Sequence, residues 1–163
     1  MDFSKRELPT REALRQFAKQ IPEINVSSVE LLLQFMQTSF EIQHYIFDIL
    51  ERNHKLSEGK MTVMIILYQS PDGIAPSRLA EKACVTRATI SAMLQRMIRD
   101  GLASSFSDSA DGRGKLVALT DKGRTFMNEV LPEHFLRTAC LMNNLTEEER
   151  GTLVHLLKKI NAN

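Results

Sequence analysis

Apolar residues recur at helical spacing through most of the chain, and the breaks between those runs divide it into predicted elements. After Pro9, Thr10 is placed to cap a short helix whose Leu14, Phe17, Ala18 and Ile21 share one side, ending before Pro22. From Ser27 or Ser28 to about Asn53 the pattern predicts one long helix. Leu33, Met36, Phe40 and Phe47 form one stripe on it, while Leu31, Phe35, Ile42, Ile46 and Ile49 form another, so it is apolar nearly all round. One small domain can hardly cover such a helix; the expected cover is a second copy of the chain, and the alternative is burial in a larger monomeric bundle.

The stretch Leu56 to Glu58 reads as a connection. MTVMIILYQ then forms a compact buried helix that stops at the Pro71-Asp72-Gly73 turn, and Ile74 with Ala75 can add a short strand. From Ser77 to Leu102 the spacing describes two short helices across a tight turn. Ser77 is expected to cap the first, which carries Leu79 and Ala80; Val85 sits in the turn. Thr86 caps the second, which starts at Arg87 and turns Ile90, Leu94 and Met97 inward. Cys84 occupies the turn position where glycine is commonest, though a small buried thiol can be accommodated there. Gly101 is placed to end the second helix. Beyond it, Leu102 and Phe106, then Leu116, Val117 and Leu119, flank the polar loop SDSADGRGK, a two-stranded hairpin or wing. Thr120 caps another long helix, reaching toward Leu145, that Pro132 is expected to bend or interrupt. Thr146 to Glu149 spells a capping box, and Leu153, Leu156, Leu157 and Ile160 give the last helix its apolar face.

The predicted fold is mainly α with a small β-wing: a winged helix-turn-helix flanked by N- and C-terminal dimerisation helices. It is read as a single domain over 1–163. Residues 1–26 are an N-terminal extension, 27–55 and 121–163 the dimerisation helices, and 56–120 the winged helix-turn-helix.

The outward face of the helix from Arg87 carries the functional reading. At about 100° per residue from Ile90, the residues pointing away are Ala88, Thr89, Ser91, Ala92, Gln95, Arg96 and Arg99. Short side chains let a helix backbone deep into a major groove, where Thr89, Ser91 and Gln95 reach base edges. Arg87, Arg96 and Arg99 then meet phosphates or guanine. The same face also suits an ordinary surface helix. Charge changes the picture modestly, because the whole chain of 163 residues is only +1. Between Ile74 and Arg124, however, nine Lys or Arg stand against five acids, leaving that segment +4 and the remainder −3.

Other chemistry finds little support. There is no phosphate-cradling glycine loop, no Gly-x-Ser-x-Gly and no Cys-x-x-Cys, so an enzyme is not expected. Glu41, His44 and Asp48 share a helix face, but a di-metal bundle needs a second Glu-x-x-His, so neither metal nor cofactor is expected. Two cysteines, Cys84 and Cys140, and the lack of a bilayer-length apolar run or signal-peptide core point to a soluble cytoplasmic protein.

Over roughly residues 28–160 the sequence resembles the MarR family of bacterial transcriptional regulators. The resemblance lies in LAEKACVTRATISAMLQRMIRDGL, in the wing DGRGKLVALTDKG, and in LTEEER followed by spaced leucines. The wing pattern of the family is met by Asp111, Arg113, Leu119, Thr120 and Gly123, with Gly112 where a second arginine is usual. The resemblance implies a homodimer on double-stranded DNA, most often repressing, with recognition helices in successive major grooves of a pseudo-palindromic operator. It implies that Arg113, with Lys115 at the wing, enters the flanking minor groove. Asp111 would orient that arginine, pair with a basic residue of the motif helices, or serve as a simple turn residue. The DNA-binding set is thus Ser77, Thr86, Arg87, Thr89, Ser91, Gln95, Arg96, Arg99, Asp111, Arg113 and Lys115. Many such proteins are released by a small phenolic or aromatic effector; Phe40, His44, Phe47 and Met64 are candidate lining, and equally adequate core. The rival reading is a winged-helix dimer serving as a protein–protein interaction module.

Overall fold

In a computed structural model of the chain, residues 8–107 and 114–161 are described. Among these, seven helices and a two-stranded sheet follow in the order α1 (Arg11–Gln20), α2 (Val26–His54), α3 (Glu58–Tyr68), α4 (Pro76–Lys82), α5 (Arg87–Arg99), β1 (Ala103–Ser107), β2 (Lys115–Leu119), α6 (Asp121–Cys140) and α7 (Glu147–Ile160). The chain divides into two units, Met1–Ile49 and Leu50–Asn163, so α2 begins in the first and ends in the second.

In the first unit Thr10 caps α1 by accepting from the Ala13 N–H at 3.2 Å. Arg11 on α1 meets Glu30 on α2 at 3.4 Å. Along α2 the apolar residues Leu31, Leu32, Phe35, Met36 and Tyr45 are exposed.

The second unit holds most of the core. Leu50 and Leu56 close the end of α2; Met61, Val63, Met64 and Leu67 of α3 pack with Leu79 of α4, Ile90 and Met97 of α5, Val117 of β2, and Met127 and Val130 of α6. The wing strands pair antiparallel from Ala103↔Leu119 to Ser107↔Lys115. Ile74 adds a single bridge to Val117 with two bonds of 3.0 Å, which ties the chain before α4 to the sheet.

Four expectations are corrected. Ser77 does not cap α4: the helix starts at Pro76, behind Ala75 as an N-cap without a side-chain bond, and Ser77 lies in its first turn. Proline has no N–H to satisfy and a preset φ, so it takes the first helical position itself. Cys84 is exposed rather than buried, although its φ of +52 is the left-handed geometry expected where glycine is common. Of the two outcomes expected at Pro132, interruption is excluded: α6 runs through it and stops at Cys140, short of Leu145. The connection after α2 is 55–57, and Glu58 already belongs to α3 behind the Ser57 cap.

Candidate nucleic-acid interface

The interface is built on α5, and the local chemistry of its first turn places it. Thr86 has extended backbone and its hydroxyl accepts from the Thr89 N–H at 3.1 Å, satisfying one of the free donors of the helix start. The same oxygen lies 2.8 Å from the Thr89 hydroxyl, so the two threonines form one hydrogen-bonded unit. At the other end, Gly101 with φ +71 donates to the Ile98 carbonyl and Leu102 donates to that of Met97, which satisfies the last carbonyls of the helix.

Between these caps the helix is sided as its sequence demands. Ile90, Leu94 and Met97 are buried. Arg87, Ala88, Thr89, Ser91, Ala92, Gln95, Arg96 and Arg99 are all exposed. Ala88 and Ala92 in that row keep the face shallow, so the helix backbone can approach a partner closely.

Two recesses flank α5. The first, of about 240 Å³, lies among α4, α5 and the sheet, and brings together Ser77, Arg87, Ser91, Gln95 and Lys115, with Leu94 and Val117 behind them. Five predicted residues from three elements thus share one surface. The second, of about 260 Å³, gathers Arg96 and Arg99 with Lys55 and Lys60. The last two were missed by sequence reading, because helical periodicity orders residues within one helix and does not say which neighbouring helix end lies beside it. Two other basic residues of the +4 segment are engaged in the fold: Lys122 Nζ donates to the Asp100 carbonyl at 2.8 Å and Arg124 to that of Pro71 at 3.3 Å.

Asp111 and Arg113 lie outside the described residues. Of the candidate effector residues, Phe40, His44 and Phe47 belong to the first unit and Met64 to the core of the second. Phe40 lines a groove on α2 with Phe35, Met36, Ser39 and Gln43. Its ring is 6.0 Å from that of His44, which in turn meets Asp48 at 3.6 Å. Among the described residues no helix is long and apolar enough to cross a membrane.

Residues 56–115 match the MarR family. The chain is 30% identical over 151 residues to the HTH-type transcriptional repressor YetL of Bacillus subtilis (strain 168), covering 92% of this chain and 90% of that protein. Its fold is similar to that of Sco3205, a MarR family transcriptional regulator from Streptomyces coelicolor, in complex with DNA, with a TM-score of 0.72, 20% identity, and coverage of 85% of this chain and 88% of that one. It is also similar to Bordetella bronchiseptica BpsR, whose DNA binding is regulated by 6-hydroxynicotinic acid, with a TM-score of 0.65, 22% identity, and coverage of 80% and 92%.

Proposed function

Since the chain belongs to the MarR family, we propose that it is a sequence-specific DNA-binding transcriptional regulator that represses from a pseudo-palindromic operator as a homodimer. The observation that carries this reading is the outward face of α5: small at its start, amide-bearing and basic further on, with Ala88 and Ala92 exposed between capped ends. Thr89, Ser91 and Gln95 are the base-reading residues, with Arg87, Arg96 and Arg99 on backbone or guanine. Ser77 and Lys115 share the wing-side recess with Arg87; Ser77 extends the contact to the backbone, and Lys115 acts at the wing with Arg113. Arg113 is assigned the minor groove of the flanking sequence.

The protein works in the cytoplasm and by binding, without catalysis. A small aromatic effector, taken on or near α2, releases it, as the family likeness to a regulator controlled by 6-hydroxynicotinic acid supports.

Footprinting of the purified protein on the DNA upstream of its own gene tests the reading. Two protected half-sites about one helical turn, or 10 base pairs, apart are expected. The affinity should fall steeply with salt, with a log–log slope of about −0.9 for each phosphate neutralised. A flat salt response and no protected site would instead identify a protein–protein interaction module.

A further inference from the structure

Lys55 and Lys60 lie outside the recognition helix, yet they face the same recess as Arg96 and Arg99. Lys55 follows the last turn of α2 with φ +54, and Lys60 stands in the first turn of α3. The Nζ of Lys60 is 3.9 Å from one oxygen of Asp100, and the Nε of Arg99 is 3.7 Å from the other. One carboxylate is therefore divided between two cations at separations too long for strong hydrogen bonds. Among the described residues lining the recess, Glu51 is the only other acid, so four cations face two acids and the recess stays positive.

Position gives that charge a meaning. Taking Ile90 as the inward direction, residues 87, 91, 95 and 98 fall on one side of α5, 93 and 96 fall on the other, and 99 points straight outward. The first set lines the wing-side recess, and the second lines the recess with the two lysines. A helix seated in a major groove about 12 Å wide has a sugar–phosphate strand along each flank. The wing side serves one strand. Resting on the DNA-binding reading above, we propose that the recess of Lys55, Lys60, Arg96 and Arg99 is a phosphate cradle that grips the other strand.

The test uses the full-length protein and a fluorescent duplex carrying its footprinted site. The double variant Lys55→Gln/Lys60→Gln is expected to lower affinity by roughly tenfold per lysine at 0.1 M salt, with the loss vanishing toward 1 M and the log–log salt slope falling by about 3.6, which is about 0.9 for each of the four lysines replaced in the dimer. The loss should be the same for operator and for scrambled duplex, since phosphates carry no sequence. Ethylation of phosphates on the strand away from the wing should cease to interfere. Asp100→Asn supplies a second arm: freeing Lys60 and Arg99 should raise affinity severalfold, whereas a merely structural ion pair would lower stability without any gain. An unchanged salt slope in the double variant overturns the cradle, as does titratable binding of inorganic pyrophosphate at the four cations with that slope unchanged. Failure of the wild-type protein to bind any duplex overturns the underlying DNA reading, and it is seen before any substitution is made.

Discussion

Cys84 and Gly101 occupy the same place at the ends of successive helices. Each lies just past the helix in left-handed backbone, with φ +52 and +71. Each donates to the carbonyl three residues back, while the next residue donates to the carbonyl five back, Val85 to Ala80 and Leu102 to Met97. A side chain costs about 1–2 kcal/mol in this conformation and a glycine gives back part of that in unfolded-state entropy. Cys84→Gly should therefore stabilise the protein by up to about 1 kcal/mol and Gly101→Ala should weaken it by a similar amount, read as opposite shifts of the urea midpoint. A loss of stability in Cys84→Gly would show that the thiol makes a contact worth more than the strain. Gly123 is a tight spot of another kind: a Cβ there would stand 2.1 Å from the Leu102 carbonyl oxygen, which also accepts from the Thr120 N–H. Alanine gains about 1 kcal/mol of helix propensity but must move backbone in a buried position, which costs about 1–3 kcal/mol. The clash should win, and Gly123→Ala should unfold at lower urea than wild type.

At the scale of the element, the caps at Thr10, Thr86, Thr120 and Thr146 were legible in the sequence because they depend on residues three positions apart. Thr86 and Thr146, both expected as caps, accept from the N–H groups of Thr89 and Glu149. Removing the Thr86 hydroxyl with Thr86→Val should cost about 1 kcal/mol and free the Thr89 hydroxyl, whereas Thr86→Ser should retain both bonds; urea unfolding of the two variants separates them. In α7 the reciprocal bonds are complete: the Glu149 carboxylate accepts from the Thr146 N–H at 2.7 Å and from its hydroxyl at 3.0 Å, which holds its pKa below the ordinary carboxylate value. A lowered folded pKa means that the cap contributes above the unfolded pKa and is lost as pH falls through the folded one. Glu149→Gln should remove that part of the acid dependence of α7, followed by hydrogen exchange of its first turn; an unchanged pH profile would sink this assignment. What the sequence did not disclose depends on distance or packing. The start of α4 went to Pro76 through backbone geometry, and α6 continues through Pro132 with Met127 and Val130 buried beside it. Lys55 and Lys60 meet Arg96 and Arg99 only because α3 and α5 are folded together.

At the scale of the whole molecule, the second unit buries its winged helix well and leaves α7 without a buried residue. Leu153, Val154, Leu156 and Ile160 are exposed on α7, as are Phe135 and Leu136 on α6. In the first unit α1 and α2 likewise expose Phe17, Leu31, Leu32, Phe35 and Met36. Apolar exposure on this scale marks an association surface, and a stable dimer buries about 1,600 Å² in all. Because α7 contributes nothing to the buried core, its apolar face can be charged without unfolding the winged helix. Leu153→Glu/Leu156→Glu should therefore keep its helical circular dichroism while sedimentation velocity shows a single chain where the wild type shows two. The loss on DNA should far exceed the effect of any one contact, since linking two half-site readers gains on the order of 10²–10⁴ in affinity through effective concentration alone. A charged variant that remains a dimer would move the interface off α7; a monomer with undiminished operator affinity would mean that each chain reads DNA alone, and the two-fold operator would lose its physical basis.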